Sequence, residues 1–233
     1  MPSAPSRVLL LAAVVLTTAC HARYRKHAGG LGTVTPAVRV PGLPGVDAGP
    51  SAGGVAAGAV AGAATEGAVQ AVEGIAEAAT GIGGAVLEGR VEGKLIRAIQ
   101  PAEARAAFAT GLRGTAGEAG LPYALGPDSP HRLDIEVTDY GFAIRGSQVS
   151  VRVDASVRLT KKGERRPIYR AGISCDRPLP GGLPVPLPIE GVDTLLALQR
   201  LDDIKAKKLE KLVLEAAEAC GADLAHQLGR HSR

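Results

Sequence analysis

The stretch "QVSVRVDASVRLTK", residues 148–161, constrains the fold more than any other. Val149, Val151, Val153, Ala155, Val157 and Leu159 alternate with Ser150, Arg152, Asp154, Ser156, Arg158 and Thr160. Period two sustained over that length means one long strand with an apolar face and a wet face. A single strand cannot hide its apolar face, so the chain must supply partners and a cover. "HRLDIEVTDY" alternates in the same way through Leu133, Ile135 and Val137. The link "GFAIRGS" is short enough for antiparallel pairing. "KKGERR" then turns the chain into "PIYRAGISC", a third and weaker strand.

The cover is expected from helices on either side. Pro101 stands at a helix start, followed at helical spacing by Ala104, Phe108, Leu112 and Thr115, with Gly120 as a natural stop. "LDDIKAKKLEKLVLEAAEACGADLAHQLGR" brings Leu201, Ile204, Leu209, Leu212, Val213, Ala216, Cys220, Leu224 and Leu228 largely to one side, with Asp202 and Asp203 at its start. The expected fold class is α+β: a three-stranded antiparallel meander covered by two helices, spanning 94–233 and preceded by a long Gly/Ala/Pro-rich stalk. Trp is absent and there are only two Phe, so the core must be built from Val, Leu, Ile and Ala.

Ahead of this domain the texture is different. Arg7 precedes an apolar run from Val8 to Leu16, and small residues lead to Cys20. That is the layout of a secretory signal, residues 1–19, and its apolar run of about ten residues is short of the roughly 20 needed to span a bilayer. "LTTAC" resembles the lipobox of bacterial lipoproteins. The resemblance implies that Cys20 receives a diacylglyceryl group and becomes the first residue of an exported, lipid-anchored chain. It implies further acylation such as palmitate, and His21 in place of Asp points to the outer membrane, facing the periplasm. The other reading is an ordinary secretion signal with a chance cysteine. Removing Cys20 leaves Cys175 and Cys220, an even number in an oxidising compartment. The arithmetic fits a bridge and two buried thiols equally well.

Within 20–52, basic "HARYRKHAGGLG" follows Cys20, with Arg23, Arg25 and Lys26 placed to rest against phosphate head groups, and closely spaced prolines come next. They read as a flexible tether. Residues 53–93 carry glycines at spacings of four and seven, which keep them near one helical face. The spacing resembles the glycine-zipper segments of some bacterial envelope proteins; an alanine-rich linker of transient helicity is the plainer reading. After loss of Arg7 with the signal, 26 Lys and Arg face 23 Asp and Glu, an excess that suits anionic lipid and equally suits no charged partner.

Element order over about 95–230, with "DYGF" at 139–142, resembles the compact α+β domains of auxiliary lipoproteins in envelope ABC transport and lipopolysaccharide assembly. Such domains carry a first strand ahead of the first helix, and here "AVLEGRVEGKLIRAI" reads better as helix. Between the third strand and the last helix, "DRPLPGGLPVPLPIEG" (176–191, containing the loop 178–191) alternates Leu183, Val185, Leu187 and Ile189 with glycine or proline. This stiff apolar loop is a candidate partner- or lipid-binding lip, or a loop packed back over the domain. No serine elbow, CxxC or histidine pair at metal spacing is present, and the glycine-rich runs lack a phosphate-loop lysine. No cofactor or metal is expected. His131, Asp134, Asp139 and Ser150 fall near one hairpin, but Asp134 belongs to a wet strand face, where carboxylates are usually only solvated. The basic turn has no interleaved aromatics for stacking on bases, so nucleic acid is not an expected partner. The sequence therefore points to a non-catalytic envelope lipoprotein, anchored to the membrane through Cys20 and binding an envelope protein in a transport or assembly complex. The alternative is a lipid- or glycan-binding lipoprotein that uses the loop.

Overall fold

The structure is a computed structural model that describes residues 22–48, 68–145, 148–179 and 192–233. The arrangement is mixed α and β, but it is larger than a three-stranded meander under two helices. The elements in chain order are α1 (22–28), β1 (Thr33–Arg39), β2 (Gly45–Asp47), α2 (Ala68–Ala98), α3 (Pro101–Thr115), β3 (Ala124–Leu125), β4 (His131–Arg145), β5 (Gln148–Lys161), β6 (Tyr169–Pro178), α4 (Val192–Asp203) and α5 (Ala206–Ser232). The sheet runs β3-β1-β4-β5-β6, with β2 pairing against the far half of β4.

The β4–β5–β6 part is antiparallel, as the alternation predicts. In β4 the apolar positions change phase, from Leu133, Ile135 and Val137 to Tyr140, Phe142 and Ile144, all at most 3% exposed. A regular strand would turn the second set to solvent. A bulge between Val137 and Asp139 absorbs one residue and returns both sets to the core face. Gly141 in "DYGF" follows it, with φ at 149° and Gly45 of β2 paired against it. A Cβ there would lie 1.9 Å from the Gly45 carbonyl oxygen, so β2 can approach only glycine.

The main correction concerns the tether expected over 20–52, whose described residues, 22–48, belong to the fold: 33–39 form β1, parallel to β4 from Thr35↔Arg132 to Arg39↔Glu136. The prolines had argued against a strand. Pro36 is tolerated because the Val34 carbonyl oxygen bonds Gly126 N on the β3 side, and alternation turns Pro36 the same way, just past the end of β3. β1 thus follows the short helix α1 and precedes α2 and α3 in the chain. The Gly/Ala-rich segment is helical where it is described, and α2 runs through residue 93 without a break, burying Val91 and Leu95, with Ile99 buried just past its end.

α3 starts at Pro101 behind a Gln100/Glu103 capping box. The last helix is two helices, not one. Asp202 and Asp203 end α4 instead of starting α5, and Lys94 of α2 holds the Asp202 carboxylate at 2.7 Å. α3 and α5 cross the core side of the sheet and touch backbone to backbone. A Cβ on Gly111 would lie 1.8 Å from the Glu218 carbonyl oxygen, and one on Gly221 would lie 2.1 Å from that of Phe108.

Candidate functional site

On α1, just behind Cys20, Tyr24 and Ala28 are core residues while Arg25, Lys26 and His27 face solvent. Tyr24 on α1 is fully buried, its ring centroid 4.7 Å from that of Tyr169 on β6. Its hydroxyl lies 3.0 Å from the Tyr123 hydroxyl, and the Tyr169 hydroxyl lies 2.9 Å from His231 Nδ1 on α5. Burial first, then its tyrosine neighbours, pushes the Tyr24 phenol far above the ordinary range. Burial likewise pushes Tyr123 up to about 12, against the lowering effect of the bond from Tyr24. Both remain neutral phenols near pH 7 and act as hydrogen-bonding struts, not nucleophiles. They fasten α1 to the end of the sheet and to α5. The candidate lipidation residue Cys20 lies outside the described residues.

The outward face of the sheet holds an open groove of about 410 Å³ lined by Arg39, Arg132, Asp134, Glu136, Ser156 and Arg158. The strand register brings Arg39 beside Glu136 and Asp134 beside Arg158, and Arg132 Nε lies 2.7 Å from the Asp134 carboxylate. Such a surface of both signs suits a charged, polar partner surface. The β4 and β5 members were legible as wet-face positions. Arg39 was not, because only long-range parallel pairing puts it there.

Cys175 and Cys220 form a disulfide with Cα atoms 5.6 Å apart, tying α5 to β6. Two residues along, Arg177 reaches Asp223 at 2.5 Å, and Leu179 N bonds the Val149 carbonyl oxygen at 2.8 Å. The disulfide and the first root of the proline-rich loop therefore share one end of β6. Leu183, Val185, Leu187 and Ile189 themselves lie outside the described residues.

The hairpin residues do not assemble into a triad. His131 pairs with Lys161 at one end of β4, while Ser150 pairs with Ala143 near the other, roughly 40 Å away at strand rise. Asp134 is taken by Arg132, and the Ser150 hydroxyl faces the Ala143 carbonyl oxygen. Among the described residues, no three His, Cys, Asp or Glu side chains are grouped to hold a metal ion, and no helix is long and apolar enough to cross a membrane.

No protein family and no curated protein matches the chain. Among solved structures, a Xanthomonas campestris protein of family DUF330 matches at 10% identity with a TM-score of 0.40, over 84% of this chain and 80% of that one. A Caulobacter crescentus protein described as a putative lipoprotein matches at 15% identity with a TM-score of 0.23, over 55% of this chain and 96% of that one. Likenesses at this level carry no part of the functional argument.

Proposed function

We propose that this chain is an exported lipoprotein, held on a membrane by acylated Cys20, that serves without catalysis as a binding or scaffolding component of an envelope transport or outer-membrane assembly complex. The observation that carries the reading is the fate of the three cysteines. Cys175 and Cys220 are consumed in the disulfide, which suits an oxidising compartment, and Cys20 alone is left behind an apolar signal-like run. The binding role draws support from the charged groove at Arg39, Asp134, Glu136 and Arg158, which offers ion pairing to a partner of mixed charge.

The test is the intact mass of the protein extracted from bacterial membranes, beside a Cys20→Ser variant. A wild-type mass that begins at Cys20 and carries acyl chains, with the variant unprocessed, supports the anchor; a lipid-free mass refutes it. For the binding role, photo-crosslinkers placed at Arg39 and Arg158 should trap one defined envelope protein, and Asp134→Lys should abolish the adduct. Deleting residues 181–189 probes the alternative. Loss of lipid or glycan binding with the adduct retained would favour the loop as a lipid or glycan site.

A further inference from the structure

Three segments far apart in sequence meet at the end of the domain where α1 docks. Arg23 of α1 lies 3.7 Å from Glu164 in the β5–β6 turn, and Lys161 reaches the same carboxylate. Tyr169 bonds His231 in the last turn of α5, and the Arg233 guanidinium closes over Gly120 at the end of the α3 connection. The Tyr24 cluster holds α1 against all of them, so these segments form one surface.

That surface is strongly basic. Segments 22–32, 116–130, 161–168 and 226–233 carry nine Lys and Arg against Glu118, Asp128 and Glu164, leaving eighteen Lys and Arg against twenty Asp and Glu for the rest of the chain. The whole positive excess of the protein therefore sits at this end. Arg25 and Lys26 on α1, and Lys162, Arg165 and Arg166 in the turn, are exposed. The turn that looked like a solvated hairpin in isolation becomes part of a face once α1 and α5 are placed beside it.

We propose that this end is a docking face for anionic lipid headgroups, which seats the domain directly against the membrane instead of suspending it on a tether. The inference deepens the proposed function, because its geometry rests on Cys20 as the anchor. Cys20 precedes α1 by two residues, so an acylated Cys20 would bring the membrane surface to this end and to no other. Each Lys or Arg near an anionic surface contributes about a fivefold gain in partitioning, so exposed Arg25, Lys26, Lys162, Arg165 and Arg166 together fix an orientation. Charge complementarity favours lipid phosphates over a protein partner here, since the face has few carboxylates and no exposed aromatic anchor among its described residues.

The full-length chain is reconstituted into vesicles of phosphatidylethanolamine and phosphatidylglycerol, or of phosphatidylcholine alone, and labelled briefly with an amine-reactive reagent read by peptide mass spectrometry. Lys207, Lys208 and Lys211 lie near the other end of α5 and are exposed, so they serve as internal references. At a rise of about 1.5 Å per residue they lie roughly 30 Å from the basic end. On anionic vesicles, Lys26, Lys161 and Lys162 should lose label relative to the references, because amines seated among headgroups are shielded from the reagent. That protection should vanish on neutral vesicles and at about 1 M salt, where screening shortens to roughly 3 Å. Arg165→Glu with Arg166→Glu, both exposed and away from the core, should abolish the protection of Lys161 and Lys162 while leaving thermal stability unchanged. Uniform labelling of an acylated chain on anionic vesicles would overturn the docking face and leave the anchor standing. Protection of an unacylated chain would do the reverse.

Discussion

Replacing Gly221 with alanine adds one methyl group where α5 touches α3. The new Cβ would lie 2.1 Å from the Phe108 carbonyl oxygen and 2.8 Å from Leu112 N, and neither backbone atom can rotate out of the way. Ordinary contact begins near 3.4 Å, so the helices must part by about 1.3 Å, a gap that forfeits up to half of the dispersion well for side chains packed at the crossing. Overpacking costs about 1–3 kcal/mol, and a rigid backbone contact belongs at the upper end. Alanine returns about 1 kcal/mol of helix propensity. The net loss is about 2 kcal/mol, which for a domain of this size lowers Tm by about 4–8 °C. Gly114→Ala on α3 supplies the control, because its Cβ would meet nothing within 4 Å, and it should raise Tm by about 2 °C. Thermal melts followed by circular dichroism read both. Gly111→Ala strikes the same crossing through Glu218, so its cost on top of Gly221→Ala should be smaller than its cost alone. If Gly221→Ala and Gly114→Ala both stabilise the protein, the backbone contact between α3 and α5 is wrong.

Tyr24→Phe removes a hydroxyl partner from buried Tyr123 and should cost about 1–2 kcal/mol in denaturant melts; an unchanged midpoint would show that α1 is not fastened by this pair. Tyr24 and Tyr123 have phenols raised in the fold, so the unfolded chain releases their protons first as pH climbs past 10. Stability should therefore fall by about 1.4 kcal/mol per pH unit for each between pH 10 and 12, measured as the urea midpoint, with half of that slope lost in Tyr123→Phe. Reducing the disulfide frees a loop of sequence separation 45 and should cost on the order of 4 kcal/mol; Cys175→Ser with Cys220→Ser should melt lower by a similar amount, and equal melting of oxidised and reduced chains would contradict the link between α5 and β6.

Much of the sheet was readable from periodicity alone. β5 and the first half of β4 alternate apolar and polar residues, and that pattern survives because each residue's face is decided locally, by the pleat. The same holds for the apolar stripe of α5 and for Pro101 at the start of α3, where cap chemistry acts within one turn. The phase change from Val137 to Tyr140 was also present in the letters, yet it acquires meaning only when β5 runs unbroken beside it and forces a bulge. β1 was hidden because Pro36 within it and Pro41 and Pro44 just beyond argue against a strand, and only the position of β3 shows that Pro36 has no ladder bond to give. Likewise, α1 looked like tether because its basic residues advertise solvent, while the one residue that decides its place is Tyr24, whose partners at Tyr123 and Tyr169 lie about a hundred residues or more away. The basic end is a tertiary product for the same reason. Charge in each segment was visible, but it becomes one surface only because parallel pairing of β1, the turn after β5 and the last turn of α5 are brought together by the core. The sequence by itself thus determined the elements whose stabilising contacts are local; contacts between distant segments, which set sheet order, helix approach and the charged faces, belonged to the tertiary structure.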